Sequence, residues 1–267
     1  MQWAESVLFD QLLVFTLVLS RVGGLVMTAP AIASPNVPRQ ARAFLAVAMA
    51  ALVMPLVWGQ AAPAVGNVLN LLVLVGIESL VGVALGLGVT LLFAGIQLAA
   101  QVIGTVSGMQ MAEVYNPLSD SNAPVFAEIL FYVAVAVFVM IGGHRQLFGA
   151  LLDTFVWMPP GAAGLPTGLT DTMIGLVAES FQLAIRAAAP TLTALLVANL
   201  VLGLVSRALP QINVNVIGFA LNSLLTLSML SLSLGAIAWI FQEQVDPTLR
   251  QLLDVFQGTL ATASGDR

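Results

Sequence analysis

Residues 68–126 read VLNLLVLVGIESLVGVALGLGVTLLFAGIQLAAQVIGTVSGMQMAEVYNPLSDSNAPVF. From Val68 to Gly104 the run is almost unbroken hydrophobic sequence. A crossing of a hydrocarbon core takes about 20 residues. The run is therefore too long for one simple crossing and reads as a tilted or bent helix, or as two helices. From Gly104 the composition changes to Gly, Ser, Asn, Asp and Pro, and the apolar pattern resumes at Val125. A plain solvated connector has no use for Met109, Met111, Val114 or Tyr115. Long loops in compact proteins are functional or disordered, and Pro117 and Pro124, set among Asn and Ser, mark fixed turns. The loop reads as folding back into the protein and closing something. The plainer alternative is that its apolar residues continue the preceding helix for another turn.

Composition places this stretch in its class. The chain has 267 residues, 59% hydrophobic and 8% charged, with a mean hydropathy of +1.01. A soluble domain carries about 25% charged residues, so these helices are expected in a membrane or buried in a larger assembly. All eight basic residues are Arg; no basic patch exists, which argues against nucleic acid as a partner. The absence of Cys excludes a disulfide framework or a thiol nucleophile. The single histidine, His144, excludes paired-histidine metal motifs, and no cofactor or metal is expected. The start, MQWAESVLFDQ, lacks the basic n-region of a signal peptide, so the first apolar segment is expected to remain in the mature protein.

That segment runs from about Val7 to Ile32, with Arg21 at its middle. An arginine there costs several kcal/mol unless paired or facing a protected cavity, and Glu78 is the candidate partner. Pro30, Pro35 and Pro38 then forbid one continuous helix, and Arg39 and Arg42 mark a membrane-edge turn on the cytoplasmic side. A second segment, about Ala43 to Trp58, is short for a span unless it includes its flanks. Within Val68–Gly104, Gly82 and Gly86 have the small-xxx-small spacing that lets helix backbones pack closely in lipid. Gln97 and Gln101 share a face, and two amides there need protein or water rather than lipid. A fourth segment, about Val125 to Ile141, starts with Glu128 in its first turn, which suits the helix dipole. GGHRQ breaks the chain, and Gln146–Trp157 reads as a re-entrant or interfacial piece. A fifth segment, about Thr172 to Arg207, is over-long and reads as split by Pro190, with Arg186 just before the split and Asn199 in its second half. A sixth, about Val214 to Phe241, carries hydroxyls and amides at a density that indicates packing against other helices. The tail beyond Glu243 is polar and amphipathic and is expected to fray into the terminal TASGDR.

No catalytic constellation is present: GTVSG places its serine one position late for a nucleophile elbow. Broken helices and buried polar groups fit a secondary transporter, though no clear internal repeat is seen. They fit equally a channel subunit sealed by methionine and aromatic side chains, which adapt to irregular gaps.

Three blocks in order decide between these. SRVGGLVMTAPAIASPNVPRQARAFLAVAMA (Ser20–Ala50), IESLVGVALGLGVTLLFAGIQLAAQVIG (Ile77–Gly104) and APTLTALLVANLVLGLVSRALPQINVNVIGFAL (Ala189–Leu221) resemble the FliR family of flagellar export-gate proteins, related to virulence type III secretion, over nearly the whole chain. The resemblance implies an all-α fold: a membrane-associated helical protein with about six hydrophobic segments, several broken or kinked, built as a subunit of a helical export-gate assembly. It implies a single domain over 1–267, with a first helical part (1–106), a pore-plug loop (107–124) and a second helical part (125–267). It further implies assembly with FliP and FliQ homologues, and association with other export-apparatus membrane proteins, at the flagellar basal body in the inner membrane. Unfolded export substrates pass in transit, lipid is a neighbour, and there is no enzymatic activity. Met109, Met111, Val114 and Tyr115 would form the plug; family members often have Phe where this chain has Val114. Gly82 and Gly86 would serve helix packing, and Arg21, Glu78, Gln97, Gln101, Arg186 and Asn199 would be polar groups buried by assembly.

Overall fold

The computed structural model describes residues 2–30, 32–33, 37–60, 62–63, 65–108, 125–161, 164, 166, 168–208 and 214–265. Every regular element among them is helical: α1 (Gln2–Thr28), α2 (Arg39–Val57), α3 (Val68–Val106), α4 (Val125–Met140), α5 (Gly143–Trp157), α6 (Leu169–Ala208) and α7 (Val214–Gly265). Five helices are long and apolar enough to cross a membrane, or six if the bent pair α4 and α5 counts as one span.

Several boundaries differ from those read in the sequence. The second segment starts earlier, because α2 begins at Arg39, directly after Pro38 (φ −55°). Its 19 residues then suffice for a crossing. The over-long third segment is one helix of 39 residues, its glycines notwithstanding. Pro190 does not split the fifth segment; α6 is one helix of 40 residues with the proline inside it. The ring sits on an exposed face after Ala187, Ala188 and Ala189. An interior proline removes one backbone bond and crowds the carbonyl four residues back, and at an exposed position beside small residues one helix absorbs both. The tail is not separate either: α7 continues through Pro247 for 52 residues in all. At the GGHRQ break the reading holds, with Gly142 in the left-handed region (φ 75°) ahead of α5.

The residues form two compact units that interleave along the chain. The first comprises Met1–Leu91, Gly142–Leu176 and Val245–Arg267, the second Leu92–Ile141 and Val177–Gln244. In the first, α1 buries Val14, Leu17, Val18, Val22, Leu25 and Val26, the i, i+3, i+4, i+7 stripe of a helix face. Its opposite face exposes Leu8, Phe9, Leu12 and Met27, so α1 is apolar all round, as a membrane helix is. In the second, Phe93 lies 5.7 Å from Phe131, 5.6 Å from Phe138 and 5.2 Å from Phe241, ring centre to ring centre, in tilted and edge-on arrangements. Such geometry is preferred by aromatic quadrupoles.

Candidate functional site

Two glycines of α3 and one of α1 set up the interior of the first unit. A Cβ on Gly82 would strike the backbone carbonyl of Arg21, one on Gly86 would strike the Thr28 hydroxyl, and one on Gly24 would strike the Ser79 carbonyl. No side chain larger than hydrogen fits at these crossings, so the two backbones touch. Thr90 Oγ1 closes the contact by donating to the Thr28 carbonyl at 2.7 Å. Glu78 stands one turn before Gly82, and the short interhelical distance brings it within reach of Arg21.

Arg21 and Glu78 are both fully buried, with Arg21 Nε 2.6 Å from Glu78 Oε2. Three further guanidinium hydrogen bonds go to the end of α5. Nη1 donates to the Thr154 carbonyl at 3.0 Å and to its Oγ1 at 3.2 Å, and Nη2 donates to the Met158 carbonyl at 3.0 Å. Thr154 Oγ1 in turn donates to the Leu151 carbonyl at 2.6 Å, so the hydroxyl both gives and receives. The Phe155 ring lies 4.3 Å from Arg21 Cζ, a cation–π contact on the guanidinium plane. Glu78 Oε1 accepts from the Gly161 N–H at 2.9 Å. Gly161 adopts φ 82°, and a Cβ there would collide with the Pro63 ring; only glycine presents its N–H to the carboxylate in this way. The buried pair thus has satisfied hydrogen bonds on both sides, the condition under which such a pair persists in low dielectric. It ties α1, α3, the end of α5 and the turn after α5 into one interior network. Its groups are spent on one another, which suits a structural clamp rather than chemistry on a substrate.

The other residues singled out in the sequence lie elsewhere. Met109, Met111, Val114 and Tyr115 fall outside the described residues. Up to that point, α3 stops at Val106 and Gly108 turns with φ 78°. Ser107 is buried, and its Oγ donates to the Gly104 carbonyl at 3.0 Å. In the second unit Gln97 is half-buried and Gln101 exposed. Asn199, also exposed, accepts through Oδ1 from Asn222 Nδ2 at 2.8 Å. Arg186 is exposed and makes no hydrogen bond or ion pair among the described residues. The sequence reading missed Thr154, Phe155, Met158 and Gly161, which meet Arg21 or Glu78 from 83 to 137 residues away. Their only local signal is the Gly-rich turn after α5, where one residue must take a positive φ. Among the described residues no group of three or more His, Cys, Asp or Glu could hold a metal.

These features define a multi-span α-helical membrane protein whose first unit is fixed by a buried arginine–glutamate pair. A family model described as "Bacterial export proteins, family 1" matches residues 12–248. The chain belongs to that family. It is similar to the flagellar biosynthetic protein FliR of Caulobacter vibrioides, 29% identical over 246 residues covering 92% of this chain and 96% of the relative. FliR of Escherichia coli K12 is 30% identical over 237 residues, 89% of this chain and 90% of that one. FliR of Bacillus subtilis 168 is 26% identical over 227 residues, with 84% and 86% covered. The relatives are named for flagellar biosynthesis and the family for export, which sets aside the reading as a small-solute transporter. The chain is a membrane-embedded protein of flagellar export.

Proposed function

We propose that this chain is a core, non-enzymatic subunit of the flagellar type III export gate in the bacterial inner membrane, assembled with FliP and FliQ homologues. In this reading the loop from Ser107 to Pro124 plugs the entrance through which unfolded flagellar proteins pass. The observation that carries the proposal is end-to-end similarity to FliR chains, 92% of this chain against 96% of one relative. Two features of the second unit support assembly with other subunits. Gln97 and Gln101 place amides on an otherwise apolar helix, and large apolar side chains such as Leu196, Leu200 and Leu232 are 64%, 66% and 80% exposed in the single chain. Amides in low dielectric require partners. The plug assignment follows from chemistry. Methionine side chains re-form a seal after displacement because they are flexible and non-directional, and an apolar constriction excludes ions by dewetting.

The test is deletion of Met109–Tyr115 with the FliP and FliQ homologues co-expressed. The gate is expected to assemble and to leak, measured as ion conductance in bilayers or impaired growth in high salt. Normal assembly with no added leak contradicts the plug. Failure to assemble makes the loop a structural joint instead.

A further inference from the structure

A groove of about 320 Å³ opens on the first unit between α5 and α7. From α5 it is lined by Gln146, Gly149, Ala150 and Asp153. The wall from α7 is Asp246, Leu249, Arg250 and Leu253. Each set has the i, i+3, i+4, i+7 spacing of one helix face, so each wall is a two-turn stripe about 10 Å long. Ala150 and Leu249 are buried and form the floor, with Gly149 and Leu253 half-buried beside them. Gln146, Asp153, Asp246 and Arg250 are exposed and form the rim.

The chemistry of this groove sets it apart from the apolar faces of the chain. Four of the 16 residues 242–257 are charged, the share found in a soluble domain, against 8% for the whole chain. Carboxylates at the rim exclude acyl chains as the occupant. Asp246 and Arg250 stand at the i, i+4 spacing at which helix ion pairs form. Yet neither they nor Asp153 makes an ion pair or hydrogen bond among the described residues. Two carboxylates and one guanidinium are thus left for an outside partner, with negative charge in excess. The floor between them is apolar, and a Cβ on Gly149 would meet nothing within 4 Å, so a neighbour can approach the α5 backbone closely. A groove between two helices accepts the side-chain ridge of a third, and charge on its rim selects which helix that is.

We propose that this groove docks a basic amphipathic helix of another protein, its apolar side chains on Ala150, Leu249 and Leu253 and its Lys or Arg side chains on Asp153 and Asp246. The inference rests on the reading of the chain as a subunit of a larger assembly. To test it, the photoreactive residue p-benzoylphenylalanine is placed at position 146, on the rim, of the full chain in cells that assemble flagella. The adduct formed under ultraviolet light is purified, and its cross-linked segment is sequenced by mass spectrometry. The expected adduct is to another protein, at a helix-forming segment with Lys or Arg on both flanks of its apolar face. Asp153→Lys with Asp246→Lys turns two rim attractions into repulsions and is expected to cut the adduct about ten-fold, the effect of reversing two exposed ion pairs. Asp10→Lys with Asp171→Lys, an equal change of charge at exposed positions outside the groove, leaves it unchanged. Arg250→Gln, which removes the rim cation, keeps or raises it. Co-purification with the FliP and FliQ homologues is followed in every variant, which separates loss of the adduct from loss of the gate. A charge-dependent adduct in a parent that does not co-purify with them supports the groove and contradicts the gate. No adduct, an adduct to lipid or to a segment of this same chain, or an adduct undiminished in the double Asp variant overturns the proposal. So does an adduct lost in Arg250→Gln and kept in the double Asp variant, the pattern of an acidic partner.

Discussion

Arg21 shows how a cation survives at the centre of an apolar helix. Its guanidinium meets a carboxylate, two carbonyls, a hydroxyl and an aromatic face, all from the same unit. Removing one partner strands the other without water. Arg21→Ala or Glu78→Ala is therefore expected to destabilise the protein by about 3–5 kcal/mol. The double change Arg21→Met with Glu78→Met, which removes both charges and keeps volume, recovers most of that loss. Unfolding by denaturing detergent, followed by circular dichroism, measures the difference. A double variant no more stable than either single one would show that the pair matters through a specific arrangement and not through charge compensation. The pair itself was legible in the sequence, because Arg21 and Glu78 stand out in long apolar runs and each needs a counter-charge. The rest of the network was not. Thr154, Phe155 and Met158 reach Arg21 across more than 130 residues, and nothing in the periodicity of α5 distinguishes them from ordinary core residues.

At the scale of elements, α1 and α3 are held together by what their glycines lack. Gly82 and Gly86 meet α1 of the same chain, so their first effect is on folding of this subunit and only afterwards on assembly. Gly82→Leu is expected to abolish folding of the first unit, seen as aggregation on size-exclusion chromatography. Gly23→Ala, at a position with open space around it, is expected to be neutral or to stabilise by about 0.5–1 kcal/mol, the helix-interior gain of alanine over glycine. Equal tolerance at both positions would contradict the close crossing. The small-xxx-small spacing was visible in the sequence, but not which helix it faced, since spacing defines a face and not its partner. Helix lengths were the weaker part of the reading. Pro190 looked like a boundary because a proline removes a backbone donor, yet α6 runs through it, as α7 runs through Pro247. Within helices of 40 and 52 residues, one missing bond is outweighed by the rest of the ladder. The interleaving of the two units was illegible for a related reason. Apolar patterning runs through α3 and α6 without a break at the points where each passes from one unit to the other; only in α7 does the passage coincide with a polar run, Gln242–Asp246.

For the whole molecule, each unit has its own fixed feature. The arginine–glutamate clamp fixes the first unit, and the Asn199–Asn222 and Glu179–Gln244 hydrogen bonds, each 2.8 Å, fix α6 against α7 in the second; the proposed plug residues Met109–Tyr115 stand in the sequence between α3 and α4. Passage of an unfolded chain past those residues is the central claim. The protein contains no cysteine, so a single introduced thiol reports without background. The most direct measurement is Val114→Cys in the assembled gate, probed by disulfide cross-linking to a cysteine-bearing flagellar export substrate stalled by a folded carboxy-terminal fusion. The account predicts a cross-link from Val114→Cys to the stalled chain and none from Trp239→Cys on the exposed side of α7. Efficient stalling with no cross-link at position 114, or an equal cross-link at position 239, would contradict it.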